Sequence, residues 1–145
     1  MPAIDLRRLV LGGLAAGVLM NVFDAVTNGI LMWSELSANA IRLGLDPRAP
    51  ATPFGIVILG AVDVVYGLVM VWLYAVLAGR YGPGWRAALL SAGVVFASTM
   101  GILLGFMLMR VLTPRLLMQM GAAGAVTLAA GALVGARVYR QQPGP

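Results

Sequence analysis

The stretch LVLGGLAAGVLMNVFDAVTNGILMW, residues 9–33, is an apolar run with an aspartate near its middle. A membrane-spanning helix needs about 20 predominantly apolar residues, and this run exceeds that length. Three further runs of this kind follow, near residues 54–77, 87–109 and 116–136. We therefore predict an all-α integral membrane protein, residues 1–145 forming a single membrane domain. Its four transmembrane helices run up-down-up-down, with both termini on the same side.

The composition of the whole chain agrees with a membrane protein. Of its 145 residues, 61% are hydrophobic and only 10% are charged, whereas about a quarter of the residues of a soluble domain are charged. The four spans leave little chain for a soluble catalytic or nucleic-acid-binding domain. We expect the lipid bilayer as the principal partner and no nucleic acid, so the net charge of +5 is not a DNA-binding signature.

The residue types that are absent exclude most catalytic chemistry. The chain contains no Cys and no His, and all ten of its basic residues are Arg. Thiolate sites, imidazole bases and lysine Schiff bases are therefore excluded, and the usual axial ligand to haem is absent. The Gly-x-Gly-Asp signature of intramembrane aspartyl proteases is missing around Asp24 and Asp63. We predict no enzyme activity, no metal site and no cofactor.

The connections between the spans differ in length. Residues 34–53 form the longest connection, whereas those near Gly82 and Pro114 are short. Leu36, Ala40 and Leu43 recur at helical spacing within the long connection and are followed by a proline-rich run. A short helix in the headgroup region and a solvated loop both fit this pattern.

Polar side chains follow one face of each of the first two spans. Asn21, Asp24 and Asn28 fall within one narrow arc of the first helix at 100° per residue. On the second helix the same arithmetic places Asp63 and Tyr66 on one arc, together with Met70 and Tyr74. A charge near the bilayer centre costs about 2.5 to 3.5 kcal/mol. Asp24 must therefore face something other than lipid.

Counting from the expected membrane boundaries places these polar residues at one depth. Asp24 and Asp63 each lie about 13 Å from the boundary near residues 33 and 54, at 1.5 Å per residue. The same count brings Thr99 and Thr127 near that level. The sequence therefore predicts one polar layer that crosses all four helices.

This polar layer fits three interpretations. Two carboxylates close together in a low dielectric cannot both stay ionised, so the pair can hold one proton, as in a proton relay or a coupled ion carrier. The same residues can instead be interhelical hydrogen-bonding groups that hold the bundle together. They can also recognise another membrane subunit.

Small residues spaced four apart let helix backbones approach closely. Such stripes occur on three of the predicted helices: Gly13 and Gly17 on the first, Gly101 and Gly105 on the third, and Gly131 and Gly135 on the fourth. They predict close packing inside one bundle, between two copies of the chain, or against a different membrane subunit.

The runs GLAAGVLMNVFDAVTNGILMWSE, residues 13–35, and WLYAVLAGRYGPG, residues 72–84, resemble a group of small uncharacterised bacterial four-helix membrane proteins. The resemblance implies a bacterial integral membrane protein and brings no activity. Six arginines near the helix ends lie on the side of the termini and four on the other side, which favours cytoplasmic termini in a bacterial inner membrane.

These observations lead to two hypotheses of function. The first is a non-enzymatic membrane protein that acts by helix packing, as an accessory or structural subunit of a membrane complex or as a homo-oligomer. The alternative is a small proton- or ion-coupled transporter or channel that uses Asp24 and Asp63.

Overall fold

A computed structural model describes residues 4–141 of the chain as a bundle of helices. The helices are α1 (Leu6–Val26), α2 (Trp33–Arg42), α3 (Pro53–Tyr81), α4 (Trp85–Leu108) and α5 (Pro114–Gln141). A π-helix at Thr27–Leu31 joins α1 to α2, and a 3-10 turn at Ala49–Ala51 precedes α3. The described residues therefore form the predicted four-helix bundle, with α2 as an additional short helix.

Local sequence signals fix where the long helices begin. The carboxylate of Asp5 accepts a hydrogen bond of 3.1 Å from the backbone N–H of Arg8 and caps α1. Thr52 caps α3 through Gly55, and Thr113 caps α5 through Leu116, each at 3.2 Å. In both of these helices a proline occupies the first helical position, where its missing N–H has no cost.

The long connection is partly helical, which was one of the two structures expected for it. Helix α2 occupies Trp33–Arg42. The π-helix before it widens the turn from four to five residues, and the backbone N–H of Met32 donates to the carbonyl of Thr27 at 2.7 Å. The hydroxyl of Thr27 bonds the carbonyl of Phe23 within the last turn of α1. Residues 27–42 thus prolong α1 in a new direction.

Helices α1 and α4 lie at opposite corners of the bundle. Helix α1 packs against α3 and α5, helix α4 packs against the same two, and α3 also meets α5. We call the end of the bundle where α1 begins and α5 ends the termini side. The opposite end, which carries α2, is called the α2 side.

The packed core is concentrated toward the termini side. The buried positions of α4 all lie between Ala87 and Val95, and those of α3 lie between Asp63 and Tyr74. Buried positions of α5 extend from Leu116 to Ala136. The core cluster consists of Met20, Met70, Tyr74, Ala87, Ala88, Ala92, Val95, Leu128, Ala132 and Ala136. On the α2 side, neither α3 before Asp63 nor α4 after Val95 has a buried residue, whereas α5 does.

The outer surface of the bundle is apolar. Val18, Val57 and Val126 are each about 60% exposed or more, and large aliphatic side chains surround the bundle in the same way. Four helices are long and apolar enough to cross a membrane, the first of them including the π-helix. An apolar exterior around a core of small residues is typical of a protein surrounded by lipid.

Candidate functional site

Helices α1 and α3 touch through glycines, which fix how the two helices align. A Cβ on Gly17 would lie 2.6 Å from the Cα of Val64 and 3.0 Å from the carbonyl oxygen of Asp63. A Cβ on Gly13 would lie 2.8 Å from the Cα of Leu68. Gly67 faces the same two glycines from the other side. The two backbones are therefore in direct contact, as the small-residue stripe of α1 predicts.

This alignment places the two aspartates at different depths. Asp63 lies beside Gly17, whereas Asp24 lies about 10 Å further along α1 toward the α2 side, at 1.5 Å per residue. The equal depth expected from the sequence is therefore not found. The expectation was counted from the bilayer boundaries, whereas the contact between the glycines determines the alignment.

The two carboxyl groups nevertheless approach each other. Side chains lean toward the N-terminus of their own helix, and α1 and α3 run in opposite directions. Asp24 thus leans toward the termini side and Asp63 toward the α2 side. Asp24 is close enough to act on Asp63 electrostatically. Because each side chain points toward the other residue, the two carboxyl groups are closer together along the bundle axis than the two backbones are.

In the described part of the chain, no arginine forms an ion pair with the Asp24 or Asp63 carboxyl. Asp63 is only 8% exposed, and Asp24 is half-buried. Within residues 4–141 the ion pairs are Arg8–Asp5 and Arg115–Glu35, and neither includes these aspartates. A buried carboxylate without a counter-charge is costly. This geometry favours a pair that binds a proton.

Helix α5 adds a hydroxyl to the pair. Thr127 is 3% exposed, and its side chain is directed at the Asp24 carboxyl. Its oxygen is nevertheless fully buried without a partner at good hydrogen-bond geometry. Asp24, Asp63 and Thr127 therefore converge from three helices.

The other predicted members of the polar layer lie near this cluster or away from it. Asn21 is half-buried, with its Nδ2 atom 3.1 Å from the Cβ position of Gly60. Asn28 is half-buried within the π-helix, one turn beyond Asp24. Tyr66 packs against the core cluster on the inner face of α3. These three side chains border the aspartates.

Thr99 does not join the cluster. It lies on α4, at the corner of the bundle opposite α1, and its hydroxyl donates to the carbonyl of Val95 at 3.0 Å. The predicted layer is therefore not continued on α4. The depth of a residue in the membrane could not show this, because residues on helices at opposite corners can lie at the same depth without contact.

The predicted packing glycines separate into two groups. A Cβ on Gly131 would lie 2.9 Å from Met20, and one on Gly135 would lie 3.1 Å from the Cβ of Ala16. With Gly13 and Gly17, these glycines pack inside the bundle. Gly101 and Gly105 on α4 have no atom within 4 Å of a Cβ position. The α4 stripe faces outward instead.

Two further polar atoms are buried; Tyr74 was already expected on the arc of Asp63, whereas Gln119 was not identified from the sequence. The Oε1 atom of Gln119 on α5 and the hydroxyl of Tyr74 on α3 are both buried without a hydrogen-bond partner. Gln119 lies about two helical turns before Thr127, so helical spacing from Thr127 would have indicated it. Tyr74 also packs edge-on against Tyr139, with ring centroids 5.9 Å apart.

These observations define an apolar four-helix protein with an unneutralised aspartate pair inside it. In the part of the chain that the structure describes, no group of three or more acidic, His or Cys side chains could hold a metal ion. No protein-family model, curated protein or solved structure matches the chain.

Proposed function

We propose that the protein is a multi-pass membrane protein that binds protons at the Asp24–Asp63 pair and passes them through the bundle as a small carrier or channel. The convergence of the two aspartates and Thr127 without an arginine partner carries this proposal. Ionisable groups inside a membrane usually mark proton or ion pathways.

A proton suits this cluster better than a metal cation does. Hard cations in proteins are held by about six oxygen ligands, several of them carboxylates. The cluster offers two carboxylates from neighbouring helices and one hydroxyl. Two carboxylates in a low dielectric share a proton readily, because both cannot stay ionised.

Proton flux into liposomes tests the proposal. The purified protein is reconstituted with a pH-sensitive dye inside, and a potassium diffusion potential drives protons inward. We expect flux for the natural chain and flux at the level of empty liposomes for Asp24→Asn and for Asp63→Asn. Asp46→Asn is the matched control, because Asp46 is exposed in the connection before α3.

Three results would contradict the proposal. They are equal flux in all four proteins, no flux for the natural chain, and a flux of sodium ions but not of protons under a sodium gradient. The last result would assign the site to a small cation instead.

A second candidate function is helix packing with another membrane chain or with a second copy. It is favoured by the outward face of α4, where Gly93, Ala97 and Gly101 are exposed and both glycines have open space at the Cβ position. Contact between lipid and such a face stabilises the protein little, whereas a second helix can approach it closely.

Native mass measurement after gentle extraction tests this candidate. An assembly that Gly101→Leu dissociates, while Gly84→Ala does not, would support it. Gly84 lies in the connection between α3 and α4, has an extended backbone, and has open space at its Cβ position. A lone monomer of the natural chain would contradict it.

We also propose that both termini lie in the cytoplasm of a bacterium and that the bundle spans its inner membrane. The residues that support this orientation are the arginines near helix ends. The termini side carries Arg7, Arg8, Arg80, Arg86, Arg137 and Arg140, and the α2 side carries Arg42, Arg48, Arg110 and Arg115. An excess of arginine is typical of the cytoplasmic side.

A further inference from the structure

The pairing of α1 with α5 continues beyond the end of α1. Gly135 packs on Ala16, and Gly131 packs on Met20. Residues four apart in α1 thus contact residues four apart in α5, with the two chains running in opposite directions. The next step pairs Asp24 with Thr127, whose side chains face each other.

Beyond the π-helix, α2 reaches α5 again through one ion pair. Glu35 of α2 and Arg115 of α5 lie 3.0 Å apart on the α2 side. Between this ion pair and Asp24, Asn28 is half-buried in the π-helix, and Gln119 lies between Arg115 and Thr127 along α5. We call Asp24, Asn28, Glu35, Arg115, Gln119 and Thr127 the polar seam.

The polar seam differs from the rest of the α1–α5 interface. Toward the termini side the interface is made of glycine, alanine and methionine. Toward the α2 side polar side chains follow one another from Asp24 to the exposed ion pair. The polar character is thus confined to the half of the interface that links the aspartates to the α2 side.

Two atoms of the polar seam point to a ligand. The Oγ1 atom of Thr127 and the Oε1 atom of Gln119 are buried without a partner in the described protein. Buried polar atoms are nearly always hydrogen-bonded, to protein or to ordered water. Water is the ligand that suits both atoms, since a hydroxyl and an amide carbonyl each accept a hydrogen bond.

The backbone along the polar seam is also unusual. The π-helix at Thr27–Leu31 includes Asn28. Turns of this kind are rare and occur frequently at functional sites. The Glu35–Arg115 ion pair is partly exposed, so it contributes little to stability and can open at low cost.

We propose that the polar seam is a water-filled path through which protons reach the Asp24–Asp63 pair from the α2 side, with the Glu35–Arg115 ion pair at its entrance. This inference rests on the proposed proton function, because it names the route to the same site. The α2-side halves of α3 and α4 offer the competing route, but Val62 and Ile56 on that half of α3 are exposed apolar side chains.

Cysteine accessibility tests the path directly, because the natural chain has no cysteine. Single variants Gln119→Cys and Thr127→Cys are exposed to a membrane-impermeant thiosulfonate reagent added from the α2 side. Val126→Cys is the matched control on the same helix, since Val126 is 60% exposed on the outer surface. Val62→Cys reports on the competing route.

We expect labelling at Gln119→Cys and Thr127→Cys at least about tenfold faster than at Val126→Cys, because the thiolate reacts and an apolar environment disfavours it. Adding Glu35→Gln should accelerate labelling at Gln119→Cys further, by opening the entrance. If Thr127→Cys does not fold, Ala123→Cys replaces it, since residue 123 lies one helical turn from Thr127 on α5, between it and Gln119.

Equal rates at Gln119→Cys and Val126→Cys would overturn the path, and so would fast labelling confined to Val62→Cys. The result is separable from the flux experiment. Labelling without proton flux would support the path and contradict the proposed function. Flux without labelling would support the function and overturn the path.

Discussion

At the scale of single residues, the side chains around Asp24 indicate what this residue does. A lone charge in the membrane costs about 2.5 to 3.5 kcal/mol. Asp24 faces the hydroxyl of Thr127 and acts electrostatically on Asp63. None of these contacts neutralises the carboxyl group. A carboxyl group that costs this much free energy in the membrane and has no counter-charge is best explained as a group that binds a proton.

Glycines determine where the aspartates lie, and this dependence can be measured. We expect Gly17→Ala to destabilise the protein by about 1 to 3 kcal/mol, as overpacking does, because its Cβ would lie 2.6 Å from the Cα of Val64. Gly101→Ala is the control, because its Cβ would meet no atom within 4 Å. It should be neutral or stabilising by up to about 1 kcal/mol, through helix propensity.

Thermal unfolding in detergent, followed by circular dichroism, gives both values. Equal losses of stability in the two variants would show that the α1–α3 contact does not have the described geometry.

At the scale of elements, α2 is held in place by side chains that reach the end of α4. The guanidinium of Arg42 donates to the carbonyls of Arg110 and Val111 at 3.0 Å and to Asn39 at 2.8 Å. Asn39 donates to the carbonyl of Val111 as well, at 3.1 Å. These bonds satisfy carbonyls that the end of a helix leaves free. They hold α2 across the α2 side of the bundle.

Loss of these bonds should release α2 without unfolding the bundle. Each hydrogen bond contributes about 1 kcal/mol, so we expect Arg42→Ala to speed amide hydrogen exchange in residues 33–42. The four long helices should exchange as before. Arg48→Ala, at an exposed position of the same connection, should leave α2 unchanged. Unchanged exchange in Arg42→Ala would mean that other contacts hold α2.

The sequence alone could predict the four long helices, because the hydrophobic length of a span and the turn residues beside it are local properties. It could also predict that Asp24 avoids lipid. The depth of Asp63 relative to Asp24 could not be predicted, since Gly17 and Val64 set it by a contact between helices. Gln119 could have been found from its spacing to Thr127.

At the scale of the whole molecule, the two ends of the bundle differ in charge and in packing. The termini side holds six of the ten arginines and most of the packed core. The α2 side holds the polar seam and the halves of α3 and α4 that have no buried residue. One end is thus well packed and basic, whereas the other carries the path to the aspartates that we propose.

Reporter fusions test the orientation that follows from this charge difference. We expect green fluorescent protein to fluoresce when it is fused after residue 145, because we propose that the termini lie in the cytoplasm. Alkaline phosphatase should be inactive at that position and active when it is inserted near Asp46, in the connection before α3. The opposite pattern would reverse the orientation and place the entrance of the polar seam in the cytoplasm.

The claim at the centre of this account is that Asp24 and Asp63 together hold one proton. Infrared difference spectroscopy of the reconstituted protein measures this directly through the carbonyl stretch of a protonated carboxylic acid. We expect such a band in the natural chain and in Asp46→Asn. In both Asp24→Asn and Asp63→Asn we expect the band at a shifted frequency and with a changed pH dependence, because the remaining carboxyl group stays buried without a counter-charge but no longer shares its proton. A band that persists unchanged in both variants, or that is absent from the natural chain across the accessible pH range, would contradict this claim.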